Sequence, residues 1–147
     1  LAGKVMATGK KILVIGGGMV GAETSYMLCT YDKKVTLIEM LPELASSLAL
    51  TVRVNLIKQL TKYNTNIILN STVKHISEKG VIVCNHDGKE ENIGYFDTIV
   101  IATGVKSNNT LEKELVGKTE VFVAGDAKSE RTALEAIKEG FEAAMKL

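Results

Sequence analysis

No apolar run in this chain reaches the roughly 20 residues that a helix needs to cross a bilayer. Nor does the N-terminus carry a basic region ahead of an apolar stretch, so no secretory signal is read and a soluble, cytoplasmic protein is expected. An excess of one charge is also lacking: 18 basic against 17 acidic residues leave a net charge of +1. That balance offers no footprint for nucleic acid or an anionic membrane. Cysteine occurs only as Cys29 and Cys84, far apart and outside any C-x-x-C spacing. A redox dithiol or a zinc site therefore has no support, and both thiols are expected to be free, buried and inert. There is a single proline, Pro42, no internal repeat and no low-complexity tract. What remains is an ordinary globular composition, 46% hydrophobic and 24% charged over 147 residues, enough for one domain-sized core. The opening LAGKVMATGK reads as a linker entering a strand, so the sequence is expected to be a piece of a longer polypeptide.

One stretch stands out against this plain background. Ile12-Leu13-Val14-Ile15 is short and apolar enough for a buried strand. Gly16-Gly17-Gly18-Met19-Val20-Gly21 follows and fits G-x-G-x-x-G. A helix-like segment from Met19 to about Tyr31 comes next, then Val35-Thr36-Leu37-Ile38 and the acid Glu39. Strand, glycine turn, helix, strand and acid within about 30 residues is the layout of a dinucleotide-binding unit.

Pro42 biases the segment from Met40 to Ser47 towards a loop. Ser46 or Ser47 is expected to cap a helix running to about Tyr63, with Leu48, Val52, Leu56 and Leu60 on its buried face. Asn64 is placed to end it, and residues 66–69 form a third strand. From 72 to 96 short β-rich runs alternate with turn signals, Lys79-Gly80 and the stronger Asp87-Gly88. An antiparallel three-stranded meander is expected here in place of a third helix. Buried strands are expected again at Thr98–Ala102 and Glu120–Ala124, with a polar loop at 105–118. A closing amphipathic helix is read over Arg131–Leu147, with Leu134, Ile137, Phe141 and Met145 at helical spacing. The fold class is α/β: a Rossmann-like three-layer arrangement on a parallel sheet, one crossover helix being replaced by the meander.

The chemistry of the glycine turn divides among its members. Gly16 permits the bend off the strand, Gly18 leaves the backbone open to a pyrophosphate, and Gly21 lets the helix lie close to the strand. The unpaired N–H groups and positive dipole at the helix start form an anion site without a lysine. Glu39 follows Gly21 at close to the ~20-residue spacing of an acid that accepts from the adenosine ribose. No Lys or Arg occurs from Val35 to Val52, and Glu43 adds a second negative charge. A ribose 2′-phosphate would be repelled there, which favours NAD(H) over NADP(H). The alternative for Glu39 is a solvated acid at a strand end. Candidate cofactor-binding residues are Gly16, Gly18, Met19, Val20, Gly21, Glu23, Glu39 and Met40. Two further strand ends join them: Ala102-Thr103-Gly104, and Gly125-Asp126, where an acid can bind a ribityl or ribose hydroxyl. Each of these has a plainer reading as a turn, and Glu23 as first-turn support for its helix. His75 and His86 lie in or beside the meander without partners for catalysis or metal binding. No catalytic residue and no metal ligand is assigned.

Taken together, KKILVIGGGMVGAETSYML, the meander, FDTIVIATG and EVFVAGDA resemble the two-dinucleotide-domain flavoproteins, which include the glutathione-reductase-like disulfide reductases. SERTALEAIKEGFEAA narrows the likeness. It resembles the C-terminal part of NADH:flavin oxidoreductases related to 2,4-dienoyl-CoA reductase, 2-enoate reductase and trimethylamine dehydrogenase. The resemblance implies a lead-in linker at 1–10, an NAD(H)-binding domain at 11–118, and at 119–147 the returning strand and helix of an incomplete FAD-type domain. It implies that the turn at Gly16, Gly18 and Gly21 holds the NAD pyrophosphate and Glu39 the ribose. Glu23 would lie near the nicotinamide, and Gly125-Asp126 would bind the flavin ribityl chain and phosphate. It further implies FAD or FMN and an iron–sulfur cluster in the full-length protein, held by sequence outside this chain. The partner is then the remainder of the same flavoenzyme polypeptide, with a homodimer as a further expectation. The competing reading is a stand-alone NAD-binding or redox-sensing module that does no chemistry.

Overall fold

The computed structural model describes residues 7–146. They form two compact units, one ending at Gly104 and the other starting at Val105.

The first unit is built on a parallel sheet whose strands come from the apolar runs. In chain order these are β1 (Lys11–Ile15), β2 (Lys34–Ile38), β3 (Asn66–Ile68) and β7 (Thr98–Ile101). The spatial order is β3-β2-β1-β7. Helix α1 (Met19–Thr30) links β1 to β2, and α2 (Leu50–Lys62) links β2 to β3. Between β3 and β7 lies the antiparallel meander β4 (Ser71–Ser77), β5 (Gly80–Asn85) and β6 (Glu90–Asn92). The chain leaves β1 towards β2 on one side and returns as β7 on the other. Open α/β sheets bind ligands at the carboxyl ends of strands beside such a reversal.

Strand alternation sends neighbouring residues into two separate cores. Ile12, Val14, Val35 and Leu37 face Ala22, Leu28 and Cys29 of α1 and Leu56 and Leu60 of α2. Leu13 and Ile38 point the other way and pack with Val81, Val83 and Phe96. A parallel sheet covered on both faces needs apolar residues at successive positions, hence the unbroken runs. The meander therefore does the covering that a helix does elsewhere, as the turn signals predict. Small residues let α1 lie close: Ser25 is fully buried and its hydroxyl donates to Gly21 O at 2.8 Å.

Some local expectations give way. The cap at Ser46 or Ser47 does not form; α2 starts at Leu50 with Ala49 as N-cap and no side-chain bond. The reason is tertiary: Ala45 N–H donates to Gly17 O at 2.7 Å and Leu48 N–H to Ala45 O at 3.0 Å, committing both serines to a turn. Leu56 and Leu60 are buried, but Val52 is exposed, because α2 meets the sheet only beyond its first turn. Asn64 does end the helix, in the left-handed region at φ +53°. Of the lead-in, residues 1–6 lie outside the described part. Lys10 is already tied to the sheet, Lys34 N–H donating to its carbonyl at 2.8 Å.

Both cysteines are free. Cys29 is buried, and its Sγ lies 3.3 Å from Thr65 Oγ1. Burial pushes the thiol up, which keeps it protonated and unreactive. Cys84 is only half-buried.

In the second unit, α3 (Thr110–Leu115) forms within the segment read as loop. A 3-10 turn covers Gly125–Ala127, and α4 (Ala133–Ala144) opens with a capping box between Thr132 and Glu135. The strand expected at Glu120–Ala124 is absent. Ala124 keeps extended dihedrals, φ −138° and ψ 158°, but no described residue offers the segment a ladder. Extended backbone becomes a strand only when a neighbour takes its N–H and C=O groups. Helix α4 is amphipathic as predicted, yet Leu134, Ile137, Phe141 and Met145 are 66–73% exposed. It therefore does not close a core within its unit.

Candidate nucleotide site

The glycine turn sits at the carboxyl end of the parallel sheet, and each glycine meets a different constraint. Gly16 has φ +100°, and its N–H donates to Ile38 O at 2.8 Å, stitching the end of β1 to β2. A Cβ on Gly16 would stand 2.4 Å from Ala102 O. A Cβ on Gly21 would stand 1.8 Å from Gly16 O, so α1 approaches β1 as closely as backbone allows. Gly18 differs from both: it is exposed, it is the N-cap of α1, and a Cβ there would meet nothing within 4 Å. One glycine of the motif is thus open and two are packed.

Glu39 is the most informative residue in the unit. Although it ends a strand, it is only 8% exposed. Its Oε2 accepts from Gly17 N–H at 2.5 Å and its Oε1 from Leu41 N–H at 2.8 Å. The solvated strand-end alternative therefore fails. A carboxylate has about four acceptor positions, so two remain open. Backbone bonds hold the residue on either side, Glu39 N–H to Ile68 O at 2.9 Å and Ser71 N–H to Glu39 O at 3.0 Å. The acid is thus pre-set in position.

Other candidates gather around this centre. Ala102 N–H donates to Ile15 O at 2.8 Å, bringing Ala102 beside Gly16 and Gly21. Thr103 and Gly104 continue from that edge exposed, Gly104 with φ +88° and open space above it. Met19 and Val20 at the start of α1 and Met40 after Glu39 are exposed. Glu23 does not lie in the first helical turn, which contains no acid; it is an exposed residue of the second turn, beyond the reach of the dipole argument. His75 is exposed, and His86 pairs with Asp87 at 3.1 Å on the hairpin tip, away from this edge.

Gly17 is the residue that motif reading passes over. Its N–H holds Glu39 and its carbonyl holds Ala45, and a Cβ on it would strike Leu44 Cδ2 at 2.4 Å. The only sequence signal is that the variable position of the motif is itself glycine.

Gly125 and Asp126 belong to the second unit. Gly125 has φ +65° and donates its N–H to Glu139 Oε2 at 2.9 Å. Glu139 Oε1 also takes Lys128 at 3.0 Å and Arg131 at 2.5 Å. Asp126 is exposed beside this cluster, a turn held from behind with its acid facing out. Arg131 and Lys128 hold the Glu139 carboxyl down from 4.5 to about 2. A depressed carboxylate stabilises the folded form above its unfolded value and loses that contribution as it is protonated. The cluster should therefore be intact above pH 4.5 and come apart as pH falls towards 2. An NMR titration following the Glu139 carboxyl and the Gly125 amide checks this; both titrating near 4.5 would show that the cluster does not form in solution.

A model of the pyridine nucleotide-disulphide oxidoreductases matches residues 2–140. The chain belongs to that family. It is 32% identical over its whole length to an NADH oxidase of Thermoanaerobacter brockii, covering 23% of that protein. It is 34% identical over 91% of its length to a bilirubin reductase of Mediterraneibacter gnavus, covering 21%. Among solved structures, a 2-naphthoyl-CoA reductase superposes with a TM-score of 0.79 at 27% identity, over 99% of this chain and 22% of the other. The chain thus spans less than a quarter of the length of these three relatives. The family is one of oxidoreductases named for a pyridine nucleotide. No helix among the described residues is long and apolar enough to cross a membrane.

Proposed function

We propose that this chain is the NADH-binding portion of a flavin-dependent oxidoreductase of the 2,4-dienoyl-CoA reductase, 2-enoate reductase and trimethylamine dehydrogenase type. The observation that carries the proposal is the buried Glu39 carboxylate bonded to the Gly17 and Leu41 amides beside the open Gly18. The pyrophosphate would lie on Gly18 and the first N–H groups of α1, and the ribose hydroxyls on Glu39. The nucleotide, when bound, supplies a hydride; the chain's own residues bind and orient it. In this reading 11–118 is the NAD(H) domain and 119–147 the returning piece of an FAD-type domain. The flavin, FAD or FMN, and an iron–sulfur centre would be held mostly by sequence outside this chain, with Gly125-Asp126 as part of the flavin site. The exposed apolar face of α4 supports contact with the rest of the same polypeptide.

Calorimetric titration with NADH beside NADPH tests the proposal. NADH should bind, and NADPH more weakly. Gly18→Ala should weaken NADH about tenfold by blocking the pyrophosphate, while stability falls by no more than about 1 kcal/mol. Absence of NADH binding, or tighter binding of NADPH, would overturn the cofactor assignment. A flavin absorbance band in the purified native gene product separates the enzyme from a stand-alone NAD-binding module.

A further inference from the structure

We propose that Glu43 and Arg53 form an ion-pair latch at the adenosine end of the nucleotide site, one that tunes its preference for a free ribose 2′-hydroxyl over a 2′-phosphate. The inference rests on the NADH reading above and names the residues that enforce it beyond Glu39.

Arg53 is the first basic residue after Glu39 in sequence. By type it is the side chain best suited to a phosphate, a planar fork that never loses its charge. The fold turns it elsewhere. Arg53 Nη2 lies 2.7 Å from Glu43 Oε2, the arginine side chain 19% exposed and the glutamate 56%. Arg53 Nε is buried and has no hydrogen-bond partner. An orphaned donor on a guanidinium is unusual and costs stability. Here it marks a fork with only part of its donor set in use.

Backbone contacts place this pair at the edge of the candidate site. Leu44 is buried against Gly17, and Ala45 N–H donates to Gly17 O at 2.7 Å. Gly17 in turn holds Glu39 at 2.5 Å. Glu43 directly precedes Leu44, whose side chain packs against Gly17. Arg53 comes back to the same loop from the start of α2, its N–H on Ala49 O at 3.0 Å.

The electrostatic consequence is direct. Glu43 cancels the charge of Arg53, so the carboxylate of Glu39 sets the sign of the field at the ribose. A 2′-phosphate meets repulsion without a cationic partner, whereas a hydroxyl meets an acceptor. Without the Glu43 charge, the Nη2 donor of Arg53 becomes available to a phosphate.

The test compares NADH and NADPH binding by calorimetry in the unaltered chain, in Glu43→Gln, and in Glu43→Gln combined with Arg53→Gln, with thermal unfolding recorded for each. In Glu43→Gln the ratio of NADPH to NADH affinity should rise about tenfold, the scale of one charge-assisted contact. The rise should shrink as salt is added and disappear in the double variant. A ratio unchanged in Glu43→Gln while NADH still binds would overturn the latch and leave the NADH reading standing. A rise that survives loss of Arg53 would overturn it too, since removal of one negative charge would then be the whole effect. Failure of the unaltered chain to bind NADH would remove the functional reading and the latch together.

Discussion

Gly21→Ala should unfold the first unit or leave it barely stable, at a cost of about 4 kcal/mol, near the top of the range for single substitutions. The added methyl would stand 1.8 Å from Gly16 O, 3.0 Å from Gly16 C and 3.3 Å from Ala102 Cβ. The two nearest atoms are backbone, so no side chain can swing aside to relieve the overlap. Helix α1 would have to move away from β1, opening the core formed by Ala22, Leu28 and Cys29 against Ile12 and Val14. Ordinary overpacking costs about 1–3 kcal/mol where side chains can adjust; this site lacks that freedom. Chemical denaturation followed by circular dichroism reads the effect. A midpoint close to that of the unaltered chain would show that α1 and β1 do not approach as closely in solution. The contrast with Gly18→Ala is the sharper part of the prediction. Two glycines of one motif, three residues apart, should fail in opposite ways: one through stability, the other through ligand affinity.

Glu39→Ala is the second large effect, and it should appear in both quantities. Removing the carboxylate strips the buried Gly17 N–H of its acceptor and leaves that of Leu41 to solvent. An unsatisfied buried donor costs about 1–3 kcal/mol, so a loss of about 2 kcal/mol in stability is expected. NADH affinity should fall about a hundredfold, since two charge-assisted bonds to the ribose go and the loop from Met40 to Ala49 loses an anchor. Unfolding and calorimetry on the same preparation separate the two losses. Stability lost with affinity intact would make Glu39 a structural acid and move the ribose elsewhere. Because the adenosine half of the nucleotide carries the effect, ADP-ribose should show the same loss as NADH.

The legible parts of this protein are those whose signal is local. The strands at Lys11–Ile15 and Lys34–Ile38 announce themselves because a two-faced buried strand needs apolar residues at successive positions. The meander announces itself through Asp87-Gly88 and Lys79-Gly80, residues that tolerate the dihedrals of tight hairpin turns; Gly80 and Gly88 both have positive φ. The bend at Gly16 and the close helix approach at Gly21 follow from motif spacing, and the packing at both agrees. Misreadings occur where a distant partner overrides local preference. Ser46 and Ser47 are good caps by residue type, but Gly17 O captures Ala45 and shifts the helix start to Leu50. Val121-Phe122-Val123 has strand composition, yet among the described residues nothing pairs with it.

By itself the sequence determined the α/β class, the glycine turn with an acid at the right spacing, and the meander in place of a third helix. Each is set by periodicity or by the conformational range of single residues, which a linear chain displays. Only the tertiary structure decided that Glu39 is buried and already bonded to Gly17 and Leu41. It also decided that Arg53 is spent on Glu43, and that the apolar face of α4 stands open. These depend on which distant groups meet, and on which donors and acceptors are left over when they do.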